Sequence, residues 1–257
     1  MLYKIQHDTL GFSSYLLGTM HSRDNRAFTF YEASVQALGK CEHYAGEMNL
    51  GELDHSAFQA AFTLEDHKNL LDHIGERHYQ RYRDIIFKAF HLDLNPLSHF
   101  KPIFIHGMLS EQCLNKERPI SLDYQLYQDA VAMHKSVSGV ETQNEQIDIA
   151  SKINLKSQLL MLKSSVRNVS AFRNQVVSIA NMYASGNTLG IFQKSSKNLY
   201  GMKSLMLTER NIRMADRIEL ICREQASFIS IGAGHLSGSM GVLRLLKKKD
   251  YKIVELS

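Results

Sequence analysis

A chain of 257 residues with 44% apolar and 22% charged side chains can bury a sizeable core and has the composition of an ordinary globular protein rather than a membrane or disordered one. Its 30 basic and 26 acidic residues leave a formal charge of +4, with one basic run at Lys247-Lys248-Lys249, so no dense positive face argues for nucleic acid. Three cysteines, Cys41, Cys113 and Cys222, are odd in number and far apart, which supports neither a disulfide framework nor a zinc knuckle and predicts free thiols.

The first residues, Met1-Leu-Tyr-Lys-Ile-Gln-His-Asp8, lack the basic segment and apolar core of a secretory signal, and no later run is long enough to span a bilayer. The chain as written predicts a cytoplasmic protein, a removed leader or anchor aside. Residues 3–6 and 13–20 read as a strand pair about Gly11, and the second strand, apolar at Tyr15, Leu16 and Leu17, stops at Gly18 and leaves His21 just past its end. Ala27 to Gly39 is loosely helical, with Gly39 as its stop. His43 to Leu50 is short and apolar up to Glu47, so it predicts a second parallel strand, beside the one that ends at His21, with a carboxylate at its carboxyl end, where open α/β sheets hold ligands.

From Ser56 to Phe104 the pattern is helical and polar, broken by Pro96 and Pro102, and predicts a helical insertion over 52–120 within a single domain of 1–257. Its histidines, His67, His73, His78, His91 and His99, lack the compact spacing of a zinc site and read as surface or capping residues. Leu122 to Met133 is an amphipathic helix with Ser121 at its cap position. Lys135 to Glu141 is another short strand ending in an acid, followed by a capping box between Thr142 and Glu145.

Residues 143–184 carry apolar positions for at least two helices, and 192–207 reads as irregular helix with exposed lysines. Thr208 to Glu224 places Ile212, Ala215, Ile218 and Cys222 on one stripe, with Arg210 and Asn211 on another face. The last unit is the most regular: a strand over 227–231, the turn Gly232-Ala-Gly-His235, a helix over 239–249 and a closing strand over 251–256, a βαβ unit. The two glycines before His235 permit positive φ and close approach of backbone to a ligand, and the lysine run reads as a solvated helix end. The alternation predicts an α/β fold built from two βαβ-containing halves around a mixed, mostly parallel sheet.

Two imidazoles and one or two carboxylates delivered from strand ends offer nitrogen and oxygen donors without thiolate, which suits Mn, Co, Fe or Zn. Such an ion with an open position would acidify a water and polarise a carbonyl.

Leu17-Gly-Thr-Met-His21, Glu47, Gly139-Val-Glu-Thr-x-x-Glu-Gln146, Leu207-Thr-Glu-Arg-Asn211 and Gly232-Ala-Gly-His-Leu-x-Gly238, followed by Gly241-Val-Leu, lie in order along the chain. Together they resemble the TraB/GumN family, which is related to the Tiki proteases, and they frame nearly the whole chain except 52–120. The resemblance implies two halves each contributing a Gly-x-x-His, and a divalent-metal-dependent hydrolase, a peptidase in the Tiki members, using Mn or Co. It implies His21, Glu47 and His235 as metal ligands, Glu141 as general base or further ligand, and Arg210 with Asn211 orienting a peptide or small-molecule substrate or its oxyanion. The alternative is a binding module without turnover, for a signalling peptide or a haem-like ligand, in a pocket lined from the chain's 11 methionines and 11 tyrosines.

Overall fold

In the computed structural model, which describes residues 1–197, 199 and 202–256, six strands form one mixed sheet. They are β1 (Leu2–Gln6), β2 (Ser13–Thr19), β3 (His43–Gly46), β4 (Ser136–Gly139), β5 (Ser227–Gly232) and β6 (Lys252–Glu255). Their order is β4-β3-β5-β2-β1-β6; β4, β3, β5 and β2 run parallel, and β1 runs against both β2 and β6. Strand β5 is buried along almost its whole length, as its unbroken Phe228-Ile-Ser-Ile231 requires of a central parallel strand. At the far edge β6 exposes Lys252, Val254 and Glu255, charges that discourage a further strand.

The order corrects one expectation. The strand beside β3 is not β2, which leads to His21, but β5, which leads to His235 and inserts between them.

Twelve α-helices surround the sheet: α1 (Tyr31–Gly39), α2 (His55–Ala61), α3 (Leu70–Ile74), α4 (Glu76–Phe90), α5 (Pro102–Glu111), α6 (Leu122–Ala132), α7 (Gln143–Lys152), α8 (Leu155–Arg167), α9 (Val169–Ala184), α10 (Thr188–Ser196), α11 (Glu209–Glu224) and α12 (Val242–Lys247). The segment 143–184 thus makes three helices, and the stretch expected as irregular helix over 192–207 contains the end of α10 and a wide turn over Ser204–Thr208, with 198, 200 and 201 outside the described residues. Among the described residues no helix is long and apolar enough to cross a membrane.

Apolar side chains form two large clusters. One is sandwiched on the sheet and includes Leu16, Leu17, Tyr44, Phe228, Ile231, Met214, Ile218 and Leu246. The other joins Tyr82, Ile86 and Phe90 of α4 and Ile105 and Leu109 of α5 to Leu162 and Val166 of α8 and Phe172 of α9. Within 52–120, α4 and α5 therefore bury their apolar faces against α8 and α9 rather than against strands, while α2 contacts α7.

Two helices differ from their sequence pattern. On α11 the buried stripe is Asn211, Met214, Ala215, Ile218 and Cys222, while Ile212 is exposed. A polar residue takes the inner position because its amide is satisfied there. The helix expected over 239–249 shortens to α12, since Gly238 at φ +102° and a turn to Gly241 interrupt its start. Lys249 beyond it is not merely solvated: its Nζ donates to Asp216 Oδ1 at 2.8 Å and Glu219 Oε2 at 2.6 Å of α11.

The two Gly-x-x-His segments meet through a glycine. Gly18 pairs with Ile231 across β2 and β5, its carbonyl accepts from Tyr183 Oη at 2.8 Å, and a β-carbon on it would strike Leu236 and crowd Ala233. Leu236 is fully buried and has no room to turn away. Gly18→Ala is expected to cost about 1–3 kcal/mol by overpacking, read as a thermal midpoint several degrees lower; an unchanged midpoint would show that the two segments do not press on each other there.

Candidate active site at the strand ends

Parallel register delivers the site. Gly46 of β3 pairs with Gly139 of β4, and the ladder continues past both strands as Val140 N donates to Gly46 O and Glu141 N to Glu47 O, each at 2.8 Å. Two carboxylates are thereby set side by side, an arrangement that like-charge repulsion opposes unless a cation intervenes.

The cation is Arg210, in the first turn of α11. Its Nη2 donates at 2.6 Å to Glu47 Oε1 and at 2.6 Å to Glu141 Oε2, and its Nε donates to Glu141 Oε1 at 3.0 Å. Gln146 Nε2 donates to the same two carboxylates, at 3.2 Å to Glu47 Oε1 and 3.3 Å to Glu141 Oε2. The second Glu47 oxygen accepts from Gly232 N at 2.8 Å. The Glu141 side chain is fully buried, that of Arg210 largely so, and that of Glu47 is 26% exposed. Burial alone would raise the Glu47 carboxyl, but His235, Arg210 and the Gly232 N–H outweigh it and hold the carboxyl down at about 2. The same helix carries Arg213, whose Nη2 lies 3.9 Å from Glu141 Oε1, and Arg217, which donates to both oxygens of Glu145 and to Val140 O. The Arg217 fork in turn holds Glu145 at about 2.

His235 stands in a single-turn helix after β5 and is 6% exposed. Its Nδ1 lies 2.6 Å from Asn211 Oδ1, while Asn211 Nδ2 donates to Met240 O at 2.8 Å. A carbonyl only accepts, so the amide orientation is fixed, Oδ1 must receive the proton of Nδ1, and the neutral ring carries its lone pair on Nε2. Among the described residues Nε2 has no hydrogen-bond partner. Burial pushes this imidazole below its ordinary value, with Glu47 opposing.

Neither Gly232 nor Gly234 has positive φ, contrary to expectation. Close approach is what Gly232 is needed for: a β-carbon there would sit 3.2 Å from Glu47 Oε2 and 3.5 Å from His235 Cδ2, filling the gap between them. Gly234 faces open space.

His21 is placed differently, 79% exposed in its side chain, with Nδ1 3.3 Å from Asp123 Oδ2. Asp123 Oδ1 accepts from Thr19 Oγ1 at 2.6 Å, whereas the buried Oδ2 accepts no hydrogen bond among the described residues and lies 3.3 Å from that imidazole. The Asp123 carboxylate raises His21 above 6.5. His21, Asp123, Glu47, Gln146 and Gly232 line a cavity of about 420 Å³, walled on another side by Met48, Leu50, Leu53 and Phe58 and floored by Tyr44 and Ser230, whose hydroxyls are 2.9 Å apart.

The donor set expected for a metal is not gathered. Among the described residues no three His, Cys, Asp or Glu form a group able to hold an ion. His21 leans on Asp123, and Glu47 is taken up by Arg210, Gln146 and a backbone N–H. A guanidinium 2.6 Å from Glu47 also repels a second cation at that carboxylate. As arranged, these residues do not fit an ion. Arg210 and Asn211, expected to clamp substrate, instead direct Nε and Nη2 of the arginine to Glu47 and Glu141 and Nδ2 of the asparagine to Met240 O.

Asp123, Arg213 and Arg217 escaped the sequence reading, and Gln146 entered it as a motif residue without a role. The spacing Arg210-x-x-Arg213-x-x-x-Arg217 puts three guanidiniums along one side of a helix and was legible; Asp123, in the first turn of α6, is indistinguishable in sequence from an ordinary helix-start acid.

The cavity lies beyond the carboxyl ends of parallel strands, where α/β sheets hold ligands; Glu47 and Gly232 line it, and His235, which does not, is buried behind Gly232. The chain belongs to the TraB/PrgY/gumN family, whose model matches residues 1–255. No curated protein and no solved structure matches it significantly.

Arg210→Met removes the guanidinium that bridges the two carboxylates and leaves Arg213, 3.9 Å from Glu141, as the nearest cation, a loss expected at about 3–5 kcal/mol near neutral pH. In the wild type, Glu47 and Glu145 are depressed to about 2, so their stabilisation is complete above the ordinary 4.5 and is lost as pH falls toward 2. Without the guanidinium, Glu47 protonates at higher pH in the variant than in the wild type, so the variant's deficit in urea unfolding is expected to shrink between pH 7 and pH 5. A deficit independent of pH would remove Arg210 from the charge balance.

Proposed function

We propose that the chain is a hydrolase of an amide or ester bond, with a short peptide as the preferred substrate class and His235 as the base that activates water. The observation that carries this reading is the Asn211-fixed tautomer, which leaves Nε2 without a hydrogen-bond partner among the described residues, in a ring whose Cδ2 edge lies beside Gly232 of the cavity lining. The second imidazole has the complementary environment: His21, raised above 6.5 by Asp123 and open to the cavity, has its protonated form favoured and suits protonation of the leaving group. Two titratable groups pushed in opposite directions are the pattern of an acid and base pair. Met48, Leu50, Leu53 and Phe58 supply an apolar wall for a side chain next to the scissile bond. The likeness of the motifs to Tiki proteases supports peptide over other carbonyl substrates.

The metal-dependent form of the reading has one observation in its favour, that His21 and Glu47 line the same cavity. It requires Glu47 to leave Arg210.

Peptide-library cleavage followed by mass spectrometry tests both. His235→Ala is expected to lower kcat/KM by about 10²–10⁴ with an unchanged thermal midpoint, and Asn211→Leu by about 10–100-fold. Rates are expected to be the same with a chelator and with added Mn or Co; cleavage that appears only with metal would replace the imidazole mechanism by the metal-dependent one. Tight peptide or haem binding without product would favour the binding module instead.

The pH dependence follows from the same environments. Protonating His235 removes the base, so activity is lost on the acid side below 6.5, where burial has moved that ring; deprotonating His21 removes the acid, so the alkaline limb lies above 6.5. Asp123→Asn is expected to move the alkaline limb down and leave the acid limb in place.

A further inference from the structure

Outside the strand-end site, α4 and α8 enclose a pocket of about 250 Å³ lined by His78, Arg81, Tyr82, Ile85, Lys163, Val166 and Arg167. Helix spacing explains the convergence: His78, Arg81 and Ile85 share one face of α4, and Lys163 and Arg167 are a turn apart on α8. Tyr82 and Val166 are buried in the floor, and the four basic side chains are exposed around it. No carboxylate lines the pocket. Among the described residues none of the four basic groups has an ion-pair or hydrogen-bond partner, whereas Arg26, Arg210, Arg217 and Arg223 elsewhere are all matched to acids.

Four cationic or protonatable groups converging on one concavity repel one another, and low-dielectric walls concentrate their positive potential. A multivalent anion relieves that repulsion and engages donors that nothing in the chain uses. Two guanidiniums offer forks that match phosphate oxygens bidentately, and the Lys163 ammonium adds a point charge. The volume is too small for a drug-sized ligand and suits a phosphoryl or diphosphoryl group. We propose that this pocket binds a phosphate-bearing anion, with Arg81 and Arg167 as the bidentate contacts and Lys163 between charges. The proposal is independent of the hydrolase reading, because its test reads binding alone.

Titrate the full chain calorimetrically with inorganic pyrophosphate in low-chloride buffer, and in parallel float it with phosphatidylcholine vesicles containing a phosphoinositide. Saturable binding of pyrophosphate, weakening with added KCl, is expected. Arg81→Ala with Arg167→Ala is expected to raise Kd at least about tenfold without moving the thermal midpoint, and the corresponding double lysine variant, which keeps charge and loses the forks, is expected to fall between. Vesicle association that pyrophosphate displaces would assign the phosphate to a lipid headgroup; binding of pyrophosphate without vesicle association assigns it to a free small molecule. Wild type that binds neither, or a double alanine variant that binds pyrophosphate as wild type does, overturns the proposal.

Discussion

The arrangement depends on one guanidinium between two carboxylates. The register of β3 and β4, continued by the bond from Glu141 N to Glu47 O, sets the backbones of Glu47 and Glu141 side by side at the strand ends. Arg210 makes the pair tolerable by donating to both, and because it sits in the first turn of α11 it also ties that helix to the strand ends. A buried ion network of this kind contributes little net stability against an apolar equivalent, since desolvation consumes much of the attraction. Its value is in position: Glu47 is held against the Gly232 N–H, and Asn211, the next residue on the helix, is delivered to His235. Changing the Arg210 position therefore moves the carboxylate and the imidazole together.

The two histidines of the repeated motif are not equivalent. His235 is enclosed, its tautomer set by an amide whose other end is locked on Met240 O, and burial favours its neutral form. His21 is open, leans on a carboxylate whose Oδ2 has no hydrogen bond among the described residues, and favours its charged form. A sequence repeat has thus been given opposite electrostatic surroundings, one by α11 and the other by α6.

The fold was largely legible because hydrophobic period and glycine punctuation report on local structure: all six strands and the long helices fall where apolar runs and caps put them. Strand order was not legible, since nothing local says that β5 inserts between β2 and β3; that depends on which strand buries best on both sides, and the unbroken apolar run of β5 fits the centre. Of the site, Glu47, Glu141 and Arg210 are brought into one hydrogen-bonded network and Asn211 and His235 into a second beside it, as motif residues at strand ends and a helix start suggested they would meet. Their roles were not legible. A motif shows which polar groups recur but not whether each faces a ligand or another side chain, and here Arg210 and Asn211 face inward. Asp123 was hidden because its partner, Thr19, is 104 residues away and an acid in a first helical turn needs no other explanation.

The position of Arg210 also constrains how charge develops in the site. A fixed guanidinium keeps Glu47 ionised down to about pH 2, so in the working range Glu47 neither accepts nor gives up a proton and is a constant of the local field. The two imidazoles answer to opposed surroundings: His21, in the cavity lining, is raised by Asp123, and His235, behind Gly232, is lowered by burial. Glu47 favours the His235 imidazolium, while burial and Arg210 oppose it. On the proposed reading of His235 as a base, the buried ion pair sets its readiness without taking part in the transfer.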